Sequence, residues 1–216
     1  MKDNNAERFP IVDEEGKVIG AATRGECHNG SRLLHPVVHL HVFNSRGEVY
    51  LQKRPEWKDI QPGKWDTAVG GHIDEGETPE QALTREVREE LGISDFKPER
   101  VGQYVFESQR EREYVYVNRT TYDGPVHPSA EELDGGRFWS LDEIRAAIGQ
   151  QILTPNFESE FQRFFLSTGG ASQRSLRCFP RVIKMPSKRV RDACYTPITG
   201  IPYSVTRLHL LSCKAS

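Results

Sequence analysis

Glu86, Glu89 and Glu90 stand at i, i+3 and i+4, a spacing that puts three carboxylates on one face of a helix. Three such groups can share a hard divalent cation, Mg²⁺ or Mn²⁺, which prefers oxygen ligands and keeps waters for a substrate phosphate. Arg85 and Arg88 lie beside them and can orient the carboxylates by charge-assisted hydrogen bonds. The helix is predicted over 79–91, with Thr78 as N-cap, Pro79 at N1, Gln81 closing a capping box and Gly92 as the stop. Its acids crowd the C-terminal end, where the helix dipole disfavours each by about 0.3–1 kcal/mol. Glu86 and Glu90 also form a like-charge i,i+4 pair. A solvated Arg/Glu helix is the plain alternative. Acids set against local stability nevertheless point to a selected function. Just upstream, Gly70 and Gly71 allow a tight turn or a close backbone approach to phosphate.

The elements that must position these groups alternate between strand and helix patterns. A hairpin is expected over 9–13 and 17–24, then strands over 33–44 and 48–54. Residues 65–73 read as a buried strand or extended segment that delivers the chain into the acidic helix. Strands follow over 100–108, 113–122 and 137–139, with helices over 141–148 and 154–166. Leu83, Val87 and Leu91 form the apolar stripe of the first helix, and Phe157, Phe161, Phe164 and Phe165 that of the last. His35, His39 and His41 fall on one face of the long strand, and His39 and His41 read as core or pocket-lining. The whole is an α/β chain with a mixed sheet.

Composition narrows the setting. With 216 residues there is room for one domain and an appendage. The formal net charge is only −2, which argues for neither a nucleic-acid nor a membrane partner. Residues 171–216 hold nine Lys/Arg and one acid, whereas residues 1–170 hold twenty Lys/Arg and thirty acids. A catalytic domain over 1–168 followed by a basic tail over 169–216 is therefore expected, the tail without a folding pattern of its own. The four cysteines (Cys27, Cys178, Cys194 and Cys213) form no CxxC pair, and no apolar run approaches the roughly 20 residues of a membrane span. A cytoplasmic setting is expected, and a homodimer is compatible with the sequence.

Gly71, Glu77, Arg85, Glu86, Glu89, Glu90 and Gly92, with apolar Val87 and Ile93, match the fixed positions of the Nudix box. The chain thus resembles the Nudix hydrolases. The resemblance implies an α/β/α sandwich with a mixed sheet, a Mg²⁺ or Mn²⁺ cofactor and a small-molecule diphosphate substrate. It implies that Glu86, Glu89 and Glu90 hold metal, that Arg85 supports them and that Glu77 pins the loop. A glutamate takes the proton of the attacking water, with Glu89 first and Glu132, Glu131 and Glu113 behind it.

A second resemblance covers most of residues 17–165. Cys27-His28, His35 and the run from Trp65 to His72 look like isopentenyl-diphosphate isomerase, a branch of the same fold family. That likeness implies a second metal site, suited to a transition metal, at His28, His35, His72, Glu111 and Glu113. It also implies diphosphate-binding cations at Arg54 and Lys58. Three features depart from it. Gly70 stands where the isomerase has its catalytic cysteine, Glu86 replaces a diphosphate-binding arginine, and the box is complete. The nearest match to a carbocation-stabilising aromatic is Phe161. Hydrolysis of a nucleoside diphosphate derivative or related organic diphosphate is the reading these departures favour. Isomerase-like chemistry and a non-catalytic diphosphate-binding module are the alternatives.

Overall fold

The computed structural model describes residues 4–58 and 60–166. The expected tail, 169–216, lies outside the described residues. Strands β1 (Arg8–Val12) and β2 (Val18–Thr23) form an antiparallel hairpin, closed by a helical turn, α1 (Arg24–Cys27). Arg24, expected to end a strand, instead begins this turn. Thr23 and Glu26 close a capping box there, which outcompetes extension of the strand.

Strand β3 (Leu34–Phe43) is the hub of the main sheet, which also contains β4 (Val49–Lys53), β5 (Trp65–Asp66), β6 (Val69–His72), β7 (Glu99–Glu107), β8 (Arg112–Thr121) and β9 (Gly136–Trp139). β8 runs parallel to β3 along its full length, and the other pairings are antiparallel. The opposite edge of β3 is shared. β4 pairs with it at Val42 and Phe43, whereas β6 pairs at Val37–Leu40. The sheet therefore splits between β4 and β6, and the split is the floor of a cleft.

Alternation along β3 sends Val38, Leu40 and Val42 to one face, where they pack on Leu83, Val87 and Leu91 of α2 (Pro79–Leu91). Val49, Leu51 and Trp139 pack on the other side against Ile144 of α3 (Leu141–Ala147) and Phe157 and Phe161 of α4 (Pro155–Phe161). The result is the expected α/β/α sandwich with a mixed sheet. The last helix is not α-helical throughout: Gln162–Leu166 continues α4 as a π-helical turn. Phe161 is wholly buried in the core, so it is no platform for a substrate carbocation. No helix among the described residues is long and apolar enough to cross a membrane.

Candidate active site

Helix α2 begins and ends as its caps dictate. Thr78 and Gln81 exchange hydrogen bonds, and Gly92 closes the helix at φ 66°. This fixes the rotation that brings its acids against β6. Arg85 ties the entry loop to the helix. Its Nε and Nη2 donate to the two Glu77 oxygens at 2.9 and 2.8 Å, Nη2 to the His72 carbonyl at 3.0 Å, and Nη1 to Glu86 at 2.8 Å. Glu77 in turn accepts the Asp74 N–H at 3.1 Å, so the loop is held by a single arginine–carboxylate fork.

The three helix acids differ in exposure. Glu89 remains 47 % exposed, whereas Glu90 is 6 % exposed and Glu86 is largely covered. Burial pushes the Glu86 carboxyl up to about 7, against the pull of Arg85, and pushes Glu90 further above the carboxylate range. Glu132 adds negative potential to both, and the Gly70 N–H and the Gln52 side chain, at 3.4 Å, donate to Glu90. Arg85 pairs with Glu86 and lies 3.5 Å from Glu89, and Lys58 is the cation that acts on Glu90. Buried acids that repel one another thus offer the oxygen donors that a hard divalent cation needs. Glu86, Glu89 and Glu90 fit Mg²⁺ or Mn²⁺.

Across the split in the sheet the sign reverses. The cleft is lined by Gln52, Arg54, Lys58, Gly70, Glu90 and Glu132, so cations from the β4 side face acids from α2 and the 125–136 loop. Arg54 is aimed by Asp66 at 3.2 Å and by the Ile60 carbonyl at 3.1 Å. Asp66 is itself fixed by the Thr154 hydroxyl at 2.6 Å. Of the proposed bases, Glu132 lines the cleft and Glu131 does not. Glu113 lies elsewhere, opposite His35 in the β3–β8 register.

The two glycines at the cleft serve different ends. Gly70 is exposed and lines it. Gly71, expected to face substrate, is buried. A Cβ there would overlap the Glu86 carboxyl, so this glycine makes room for the acid.

The histidines of the second expected site come together. One ring nitrogen from each of His28, His35 and His72 lies within 4.8 Å of the others, and Glu111 Oε2 lies 2.9 Å from His28 Nδ1. His35 Nδ1 donates to the Leu33 carbonyl at 3.0 Å, which leaves Nε2 buried with a bare lone pair and no partner among the described residues. Burial depresses His35 to about 4 and His72 well below the usual histidine range, so both are neutral donors. Phe9 stacks on His72 at 4.3 Å, a contact with no signal in the sequence. An orphaned, neutral nitrogen beside two other imidazoles fits a borderline transition metal. Glu113, opposite His35 in the strand register, is buried and raised to about 8 by desolvation and then by Glu111.

Sequence reasoning missed the partner of the other two strand histidines. Glu160 of α4 accepts His39 Nδ1 at 2.7 Å, His41 Nε2 at 2.8 Å and the Tyr104 hydroxyl at 2.6 Å. Burial alone would lower His39, but the Glu160 carboxylate outweighs it and holds the ring at about 9.

The site thus sits in a mixed α/β fold, a sheet between helices split over a cleft with acids on one wall and cations on the other. The family model of the NUDIX domain matches residues 33–157. An uncharacterised Nudix hydrolase of Pseudomonas aeruginosa is 33 % identical over 147 residues, covering 66 % of this chain and 86 % of the relative. A protein named isopentenyl-diphosphate Delta-isomerase from Corynebacterium diphtheriae is 38 % identical over 94 residues, 44 % of this chain and 51 % of its own. In fold, the crystal structure of DR0079 from Deinococcus radiodurans superposes with a TM-score of 0.63 at 23 % identity, covering 74 % of this chain and 99 % of that one. The chain belongs to the Nudix hydrolase family, with relatives named as isomerases of isopentenyl diphosphate.

Proposed function

We propose that the protein is a Mg²⁺- or Mn²⁺-dependent hydrolase that cleaves the diphosphate linkage of a nucleoside diphosphate derivative or related organic diphosphate in the cytoplasm. The observation that carries this reading is the facing of the buried acid Glu90, one helical turn from Glu86, by Arg54 and Lys58 across one cleft. Glu86, Glu89 and Glu90 would hold the metal, which when bound neutralises phosphate charge and polarises the phosphorus under attack. Arg54 and Lys58 bind the remaining phosphate oxygens, and electrostatic positioning of this kind dominates phosphoryl transfer. Arg85 keeps Glu86 in place through its fork to Glu77. The Gly70 N–H does the same for Glu90. Glu89, solvent-accessible, takes the proton of the attacking water, with Glu132 on the acidic side of the cleft as the alternative base.

Isomerase chemistry has the His28, His35 and His72 group in its favour, and a transition metal there would be a second, separate site. It lacks a proton donor at position 70, where glycine has no side chain to offer. A panel of dinucleotides, nucleotide sugars, nucleoside triphosphates and prenyl diphosphates, incubated with Mg²⁺ or Mn²⁺ and followed by ³¹P NMR, tests the proposal. Release of phosphate or monophosphate from at least one member is expected, and EDTA should stop it. Release from none would sink the hydrolase reading. Conversion of isopentenyl to dimethylallyl diphosphate would favour the isomerase.

A further inference from the structure

The Glu160 cluster has no part in the mechanism so far. Alternation along β3 sends His35, Val37, His39 and His41 to the sheet face opposite α2. Helix α4 brings Glu160 against that face at 1 % exposure. A buried carboxylate is tolerated when its lone pairs are taken, and the two imidazoles and Tyr104 take them. Core cohesion would explain His41, which is wholly buried. It leaves His39 unexplained. Glu160 occupies its Nδ1, and among the described residues its Nε2 has no hydrogen-bond partner.

The direction of that free nitrogen is informative. The β3–β6 register places Gly70 opposite His39, and directly opposed residues share a sheet face. A Cβ built on Gly70 would sit 3.6 Å from His39 Nε2 and 3.5 Å from its Cδ2, with no contact closer than these. Gly70 has no left-handed φ, so its backbone does not call for glycine. Gly70 lines the cleft and places no side chain over the ring of His39, which is 8 % exposed and not itself part of the cleft's lining. Gly70 therefore stands between Glu90, which takes its N–H, and His39, which lies beneath its Cα. A ring fixed by a carboxylate behind it, with its second nitrogen next to a glycine of the cleft, is a preorganised hydrogen-bond donor.

We propose that His39 is a substrate-contacting residue, whose Nε2 meets an oxygen of the bound diphosphate past Gly70, with Glu160 as its positioning residue. This inference rests on the diphosphate reading of the cleft. It explains why a residue with ordinary backbone geometry is glycine, and why α4 spends a buried acid on the strand beneath the site. A side chain at position 70 would stand over the ring.

Histidine-¹⁵N NMR on the full chain tests it, with methylenediphosphonate and Mg²⁺ as the probe and His39→Gln to assign the resonance. In the wild type the His39 Nε2 signal should move and saturate together with the ³¹P signal of the probe. Gly70→Ala, which the surroundings accommodate without overlap, should keep the melting temperature. It should abolish the movement of the His39 signal and lower kcat/KM by about 10- to 100-fold, the worth of one charge-assisted hydrogen bond. His39→Gln should lower kcat/KM by a similar factor. Glu160→Gln should shrink the movement of the His39 signal as well as the stability, whereas a purely structural role would lower stability and leave the movement intact. Probe binding with an unmoved His39 signal, or Gly70→Ala within twofold of wild-type kcat/KM, would overturn the inference while leaving the hydrolase reading standing. Failure of the probe to bind at all would overturn both.

Discussion

Replacing Glu160 by glutamine should change both the stability of the protein and its dependence on pH. The wild-type carboxylate raises His39 from 6.5 to about 9 at a site almost closed to water. A shift of that size corresponds to about 3 kcal/mol of stability. Because the folded pKa lies above the unfolded one, the contribution is complete below pH 6.5 and is lost as pH rises through 9. Glutamine keeps the volume and one acceptor but not the charge. Urea unfolding of Glu160→Gln at pH 6 should therefore show a loss of about 3 kcal/mol, narrowing to about 1 kcal/mol at pH 10, where only neutral hydrogen bonds differ. Glu86 and Glu113, raised to about 7 and about 8, also cost the wild type stability as pH rises. The informative quantity is thus the difference between variant and wild type, measured in EDTA. A difference that stays constant between pH 6 and pH 10 would refute the reasoning.

Three further outcomes are expected. Gly71→Ala should destabilise by about 1–3 kcal/mol and lose most activity, because its methyl group displaces Glu86, in contrast to Gly70→Ala; thermal melts and steady-state rates check this. Mg²⁺ at millimolar concentration should raise the melting temperature of the wild type, and Glu86→Gln should melt higher than wild type in EDTA yet gain less from Mg²⁺, since it removes a desolvated charge. Isothermal titration with Zn²⁺ or Mn²⁺ should detect a site that His35→Ala removes; unchanged binding in that variant would place the metal away from the histidine group.

The local features of the chain were readable in order, and those that depend on distant contacts were not. Helix α2 was legible end to end because Thr78, Gln81 and Gly92 act within a few residues of the backbone they cap. Its acids were legible because a complete motif fixes their spacing. The turn at Arg24–Cys27 carried a Thr-x-x-Glu signal that four residues cannot reinforce with periodicity. The split of the sheet had no such local signal. It arises because β4 and β6 compete for one edge of β3, which is a property of pairing across the fold. Glu160 had none either: 121 residues separate it from His39, and in its own helix it reads as an ordinary acid. Gly70 and Gly71 looked interchangeable in sequence. Alternation sends one toward the cleft and the other onto Glu86, and only the register with β3 says which.

The central claim is that the α2 carboxylates and the cleft they face hydrolyse a diphosphate. It is tested most directly by running wild type and Glu89→Gln side by side on the substrate that is turned over. The reaction is carried out in H₂¹⁸O with Mg²⁺ and read by ³¹P NMR. The account predicts ¹⁸O in a phosphate product of the wild type. It predicts a rate at least about 100-fold lower in Glu89→Gln, with an unchanged melting temperature. Equal rates in the two proteins, or product without ¹⁸O, would contradict it.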